Sequence, residues 1–170
     1  MRFSSNQKQK TVSELLQLIS FAIDKEEYAV SVLDVIEVIR LPKIKKLPKA
    51  PHFLKGIISL RGEVIPIVDL RQKFGLAEKA SDGFKRTIIV SIEGKKVGLI
   101  VDSVSKVIRV QSSEIKEAPS FSSYVSNEYI KGIIMQKERM IILLDLGFVF
   151  SKEEISRIAE MSRDIKISED

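Results

Sequence analysis

Three aspartates, Asp69, Asp102 and Asp145, each follow a run of apolar residues. A carboxylate at the end of a strand can serve as an acid or base, or bind a cation. It can equally accept a backbone N–H from a following helical turn. The recurrence of Asp-Leu at 69–70 and 145–146 favours that capping role. Ser103 and Lys106 have the spacing of a Ser-Lys nucleophile pair, but so short a pattern is matched by chance. The one histidine, His52, lies in a Pro-flanked basic loop with no partner in sight and is expected to be solvated or locally hydrogen-bonded. The absence of cysteine excludes disulfides, thiol catalysis and thiolate-bound metals, and a single histidine excludes multi-His sites. A reaction needs a nucleophile, a base and an orienting group together. No such set assembles here, so the chain is expected to be a non-enzyme without metal or cofactor.

The elements that carry these residues are short and β-rich. Leu16, Leu18, Phe21 and Ile23 read as a strand with one irregularity, and Tyr28, Val30 and Val32 resume the period of two. GIISL (56–60) and VIPIVDL (64–70) flank a turn at Arg61-Gly62, and RTIIVSI and VGLIV flank a turn at Glu93-Gly94; each set reads as a hairpin. LRQKFGL (70–76) suits one helical turn ended by Gly75, and residues 77–85 read as a linker. SKVIRV, GIIMQ and MIILLDL continue the series, with a polar stretch at 111–128 between the first two. Short strands with a turn signal roughly every ten residues indicate small barrels or a sandwich. Ser151-Lys152-Glu153-Glu154 matches a capping box, and Ile155, Ile158 and Ala159 then give a short amphipathic helix.

The pattern is duplicated. FLKGIISLRGEVIPIVDL (53–70) aligns with YIKGIIMQKERMIILLDL (129–146), with 7 of 18 positions identical, including Lys55/Lys131, Gly56/Gly132 and Asp69/Asp145. Upstream, Val32, Val35, Val38, Ile39 and Arg40 match Val101, Val104, Val107, Ile108 and Arg109. The offset grows from 69 to 76 residues between these blocks, which places the extra residues in the 111–128 stretch. Two copies of one hairpin-rich unit imply two similar barrels sharing a core, since about 70 residues alone would be marginal. The cleft between them is a natural site for a partner. The expected organisation is a flexible segment at 1–13, a domain at 14–150 built of subdomains at roughly 14–80 and 84–150 with strand exchange left open, and a helix and tail at 151–170.

Charge adds little. The chain of 170 residues carries +5, and Arg40, Lys43, Lys45, Lys46, Lys49 and Lys55 cluster. Single-strand nucleic-acid binding needs aromatic faces among such charges. There is no Trp, and only Phe53 lies near the run, so no nucleic-acid partner is expected. No stretch reaches the ~20 apolar residues of a membrane span, and no apolar signal core follows the basic start. A reducing cytoplasm is the expected setting.

The blocks LISFAIDKEEYAVSVLDVIEVIR, LPKAPHFLKGIISLRGEVIPIVDLRQKFGL, VGLIVDSVSKVIRV and YIKGIIMQKERMIILLDL occur in an order that resembles the CheW-like family of bacterial chemotaxis coupling domains. The likeness runs from about Leu16 to Leu146, with Ser59 where the family usually has Asn before Leu-Arg-Gly. It implies an all-β fold of two SH3-like five-stranded barrels around a shared core. It also implies an adaptor that joins methyl-accepting chemotaxis receptors to the histidine kinase CheA, recruited to the inner face of the membrane, with other copies of itself as further partners in array rings. Related adaptors of pilus or gliding-motility pathways share the domain. Family receptor contacts fall on Val35, Glu37, Gly56, Arg61, Gly98 and Val107, while kinase-facing residues stay unassigned. Glu37 and Arg61 are charges inside apolar blocks, and a buried unpaired charge is costly. They are therefore expected to pair across the inter-barrel groove, to reach a receptor helix, or to stand as exposed edge residues.

Overall fold

The computed structural model describes residues 13–118 and 127–169. Eleven strands form two sheets: β1 (Leu15–Ile23), β2 (Glu26–Ser31), β3 (Val35–Arg40), β4 (Leu54–Leu60), β5 (Glu63–Asp69), β6 (Arg86–Ile92), β7 (Lys95–Val101), β8 (Ser103–Gln111), β9 (Ile115–Lys116), β10 (Ile130–Gln136) and β11 (Arg139–Leu144). Three helices, α1 (Leu70–Lys73), α2 (Leu146–Val149) and α3 (Lys152–Glu169), complete them, with 3-10 turns at Val32–Asp34, Ser112–Glu114 and Asn127–Tyr129. The protein is thus mostly strand, as expected, with two four-residue helices and an 18-residue helix at its C-terminal end.

One sheet has the order β3-β6-β7-β5-β4 and the other β8-β1-β2-β11-β10-β9. The expected split at 80/84 therefore does not divide the sheets. The first hairpin, β1-β2, sits in the sheet of the second half, and β6-β7 sits in the sheet of the first half. Strand exchange, left open by the sequence, is the arrangement found. The two joints are the only parallel pairings among the described strands, β5 with β7 and β11 with β2. The second sheet has six strands rather than five because β9, two residues long, lies within the polar stretch 111–128.

Each sheet buries both faces. Ile58, Ile65, Ile67, Ile89 and Ile100 form a core inside the first unit. Leu18, Ala29, Ile108, Val110, Ile134, Ile141 and Leu143 do so inside the second. A third, larger cluster draws Phe21 and Tyr28 from one sheet, Ile88 and Leu99 from the other, and Phe150, Ile155 and Ile158 from the C-terminal region. This double burial is why strands such as β6 read as continuous apolar runs rather than alternating ones. The irregularity in the first strand is a bulge between Ser20 and Phe21 in the β1–β8 ladder.

The outer strands of each sheet are joined across one end. In the second unit the Ser112–Glu114 turn carries β8 directly into β9. In the first, Lys45 from the Pro-containing loop exchanges two 2.9 Å backbone hydrogen bonds with Ile57 of β4. That loop otherwise stays out of the ladders, as its prolines require. Asp69 and Asp145 cap α1 and α2, each accepting a backbone N–H at 3.0 Å, from Arg71 and Gly147. Asp102 does not cap a helix. It precedes β8, and its Oδ2 accepts the Asp24 N–H at 2.7 Å and the Arg71 guanidinium at 2.6 Å. This near-buried pair ties α1 of the first unit to the β1-β2 turn of the second.

The capping box at the last helix forms in full: Glu154 N–H donates to Ser151 Oγ at 3.0 Å, and Ser151 N–H donates to Glu154 Oε1 at 2.8 Å. Ile155 and Ile158 are buried. Of the expected flexible segment, residues 1–12 lie outside the described residues, while Ser13 bonds to Ser113 Oγ at 3.0 Å.

Candidate functional site

Arg61 opens the two-residue turn between β4 and β5, with φ of 49° followed by 82° at Gly62. Both central residues at positive φ match the twist of the flanking strands, which is why Arg-Gly serves here. The turn aims the Arg61 guanidinium at Glu37 of β3. Two hydrogen bonds join them, Nη2 to Oε2 at 3.0 Å and a shorter one from Nη1 to Oε1. The Arg61 hydrogen bond holds the Glu37 carboxyl below the usual carboxylate range, and the same contact raises the guanidinium. Arg61 remains largely exposed, with 71% of its side-chain surface open. The pair forms, then, but within one unit and not across the inter-barrel groove. It is possible because β3 and β4 are the outer strands of one rolled sheet.

A single register row explains much of the rest. Glu37 pairs with Ile89, Ile89 with Gly98, Gly98 with Ile67, and Ile67 with Gly56, so the row crosses all five strands. A Cβ on Gly98 would lie 2.5 Å from Ile67 Cδ1 and 2.9 Å from Thr87 Cγ2. The missing side chain lets the two isoleucines fill the interior of the unit. A Cβ on Gly56 would lie 2.0 Å from the carbonyl oxygen of Lys45, the loop residue that bridges to Ile57, at a φ of 148°.

The six residues expected at a receptor contact thus fall into different settings. Glu37 and Arg61 meet. Gly56 and Gly98 are buried and shape the unit from within. Val35 is half-buried against the shared core. Val107 is exposed on β8 in the other sheet. The exposed apolar residues Ile36 and Val38, which flank Glu37 along β3, were not singled out from sequence. Their signal was a β-branched run on a strand that turned out to be an edge.

The cationic run is partly committed. Lys55 pairs with Glu78 at 2.5 Å, which ties the 77–85 segment to the body. Phe53 is buried, with the His52 ring edge-on to it, so it presents no open face for base stacking. His52 Nε2 lies 3.2 Å from the Gln72 carbonyl oxygen, a local hydrogen bond. Among the described residues no group of three or more metal-ligating side chains comes together. No helix there is long and apolar enough to cross a membrane.

Residues 17–154 match the CheW-like domain family. The chain belongs to the CheW-like domain family. A chemotaxis protein CheW of Treponema pallidum is 30% identical over 155 residues, covering 87% of this chain and 89% of that protein. The CheW of Bacillus subtilis is 34% identical over 137 residues, covering 81% and 88%. In structure, the scaffolding protein TtCheW of Thermoanaerobacter tengcongensis superposes with a TM-score of 0.76 at 35% identity, over 83% of this chain and 96% of that one. CheW proteins are scaffolds in chemotaxis and not enzymes, which agrees with the lack of a catalytic set in the sequence.

Proposed function

We propose that the chain couples methyl-accepting chemoreceptors to the histidine kinase CheA by binding both within one assembly beneath the membrane. The observation that carries this reading is the Glu37–Arg61 pair, a charged clasp at one end of the first unit with the Arg61 side chain largely exposed. Such a patch suits a receptor helix. An arginine offers planar, two-pronged recognition of a carboxylate. Val35 and Val107 extend the proposed contact, and Gly56 and Gly98 hold the sheet that supports it.

The mechanism is positional. A protein that holds receptor and kinase together raises the effective concentration of each for the other. It passes a signal only if its affinity differs between the kinase-on and kinase-off arrangements. Sedimentation of the purified chain with receptor-bearing membranes, with and without CheA, tests this. A ternary pellet in which each partner increases retention of the other is expected. Retention by neither partner overturns the proposal. A pellet formed only with the receptors and kinase of a pilus or gliding pathway would assign the same adaptor role to that pathway.

A further inference from the structure

The two sheets follow one plan, each drawing strands from both halves of the chain. Strand by strand, β3-β6-β7-β5-β4 of the first unit matches β8-β1-β2-β11-β10 of the second. The match extends to register. Glu37 pairs with Ile89 in the first unit, and Lys106 with Ser20 in the second; Ile67 pairs with Gly98, and Leu143 with Ala29. Counterparts in these pairs lie 69 or 76 residues apart, the two offsets of the duplication.

The halves on either side of residues 77–84 are therefore not the units. The ladders β1–β8, β2–β11, β3–β6 and β5–β7 all run from one half to the other. What each half pairs by itself is its hairpins, β1-β2 and β4-β5 in the first, β6-β7 and β10-β11 in the second. The cores are divided in the same way. Ile58, Ile65 and Ile67 of the first half close on Ile89 and Ile100 of the second. Leu18 and Ala29 of the first close on Ile108, Ile134 and Ile141 of the second. A lone hairpin is marginal in water, so neither half holds a sheet that stands alone.

The covalent joint between the halves is of a different kind. Residues 77–84 are exposed throughout and belong to no ladder and no core cluster. Side chains pin them to the surface: Arg71 Nε donates to the Ala77 carbonyl at 2.9 Å, Lys55 meets Glu78 at 2.5 Å, and Arg86 Nη1 donates to the Gly83 carbonyl at 2.9 Å. A connection of this kind raises the concentration of each half for the other and supplies none of the contacts between them.

We infer that the two halves of the chain are binding partners in their own right, with the crossing ladders as their interface, and that the bond through residues 77–84 is dispensable. The N-terminal half can be supplied by the same copy or by a second copy of this chain, since the surface it meets is the same. A cut or an inserted segment at 77–84 leaves both units whole.

The test uses the full chain with a recognition sequence for a site-specific protease inserted between Ala80 and Ser81, cleaved after folding. The cut chain should elute as one particle of the parent's size. Its thermal midpoint should fall by several degrees and then rise with protein concentration, because folding now joins two molecules. The uncut insertion chain should show no such concentration dependence. Isotope-labelled and unlabelled cut chain, unfolded and refolded together, should give hybrid particles in native mass spectrometry. The inference fails if the insertion chain does not fold, or if the halves separate on cutting. It fails equally if the cut chain's midpoint ignores concentration, as two self-contained barrels would, or if refolding yields no hybrids.

Discussion

Glu37 on outer strand β3 and Arg61 in the turn that ends outer strand β4 lie 24 residues apart, and their paired hydrogen bonds bridge the two edges of one five-stranded sheet. The contact exists because the sheet is rolled. In a flat sheet three strands would separate the two side chains. Arg61 is open to water and Glu37 partly so, so the pair adds little to stability, and its worth lies in presenting an oriented guanidinium. Arg61→Glu should therefore abolish retention by receptor-bearing membranes while leaving the thermal midpoint near that of the parent. Arg61→Lys should weaken retention less completely, because an ammonium cannot reproduce the two-pronged contact. Sedimentation alongside thermal unfolding checks both.

Gly98→Val tests whether the register row holds the site from below. The added carbons meet Ile67, Thr87 and Ile89 in the interior of the first unit. Overpacking of this kind costs about 1–3 kcal/mol. A thermal midpoint several degrees lower is expected, and weaker receptor binding with it. An unchanged midpoint would contradict the packing described.

Arg71 and Asp102 form the near-buried tie between the units, at 2.6 Å, with 12% and 7% of their side chains exposed. Asp24 adds a longer contact to Arg71 at 3.6 Å. Arg71→Met leaves the Asp102 carboxylate buried without its cation, which costs about 3–5 kcal/mol. The double variant with Asp102→Leu should recover part of that loss. Chemical denaturation of the two single variants and the double variant measures the coupling.

The docking of α3 should depend on pH. Burial alone would raise the Glu154 carboxyl, but Lys73 and Ser151 outweigh it, and the group is held below its usual range. A depressed carboxylate contributes stability that is present above its unfolded value and lost as pH falls through its folded value. Acidification into and below the carboxylate range should therefore loosen α3 from the body. Glu154→Gln should remove most of that pH dependence and cost about 1 kcal/mol at neutral pH through the lost Lys73 ion pair, while its amide oxygen still accepts the Ser151 N–H. Hydrogen exchange of the Ile155 and Ile158 amides across pH follows the effect.

The local elements could be read from residue order because their causes are local. Arg61-Gly62 and Glu93-Gly94 are turns wherever they fall between apolar strands. Asp69 and Asp145 cap because an Asx side chain sits beside free N–H groups, and the Ser151–Glu154 box closes on itself. The duplication was equally legible, down to the residues where its offset changes. Those are properties of neighbours in the chain, and composition, with no Cys and a single His, narrowed the chemistry open to the chain in the same way.

Which strand lies beside which was decided only in three dimensions. The two copies exchange their leading hairpins, and no local preference distinguishes a hairpin that pairs within its own copy from one that pairs with the other. The partnership of Glu37 with Arg61 follows from the rolling of one sheet, and the role of Asp102 as a tie and not a cap follows from the meeting of the two units. Long-range pairing is set by the burial of whole sheet faces, a sum over many residues, and no single position in the sequence carries it.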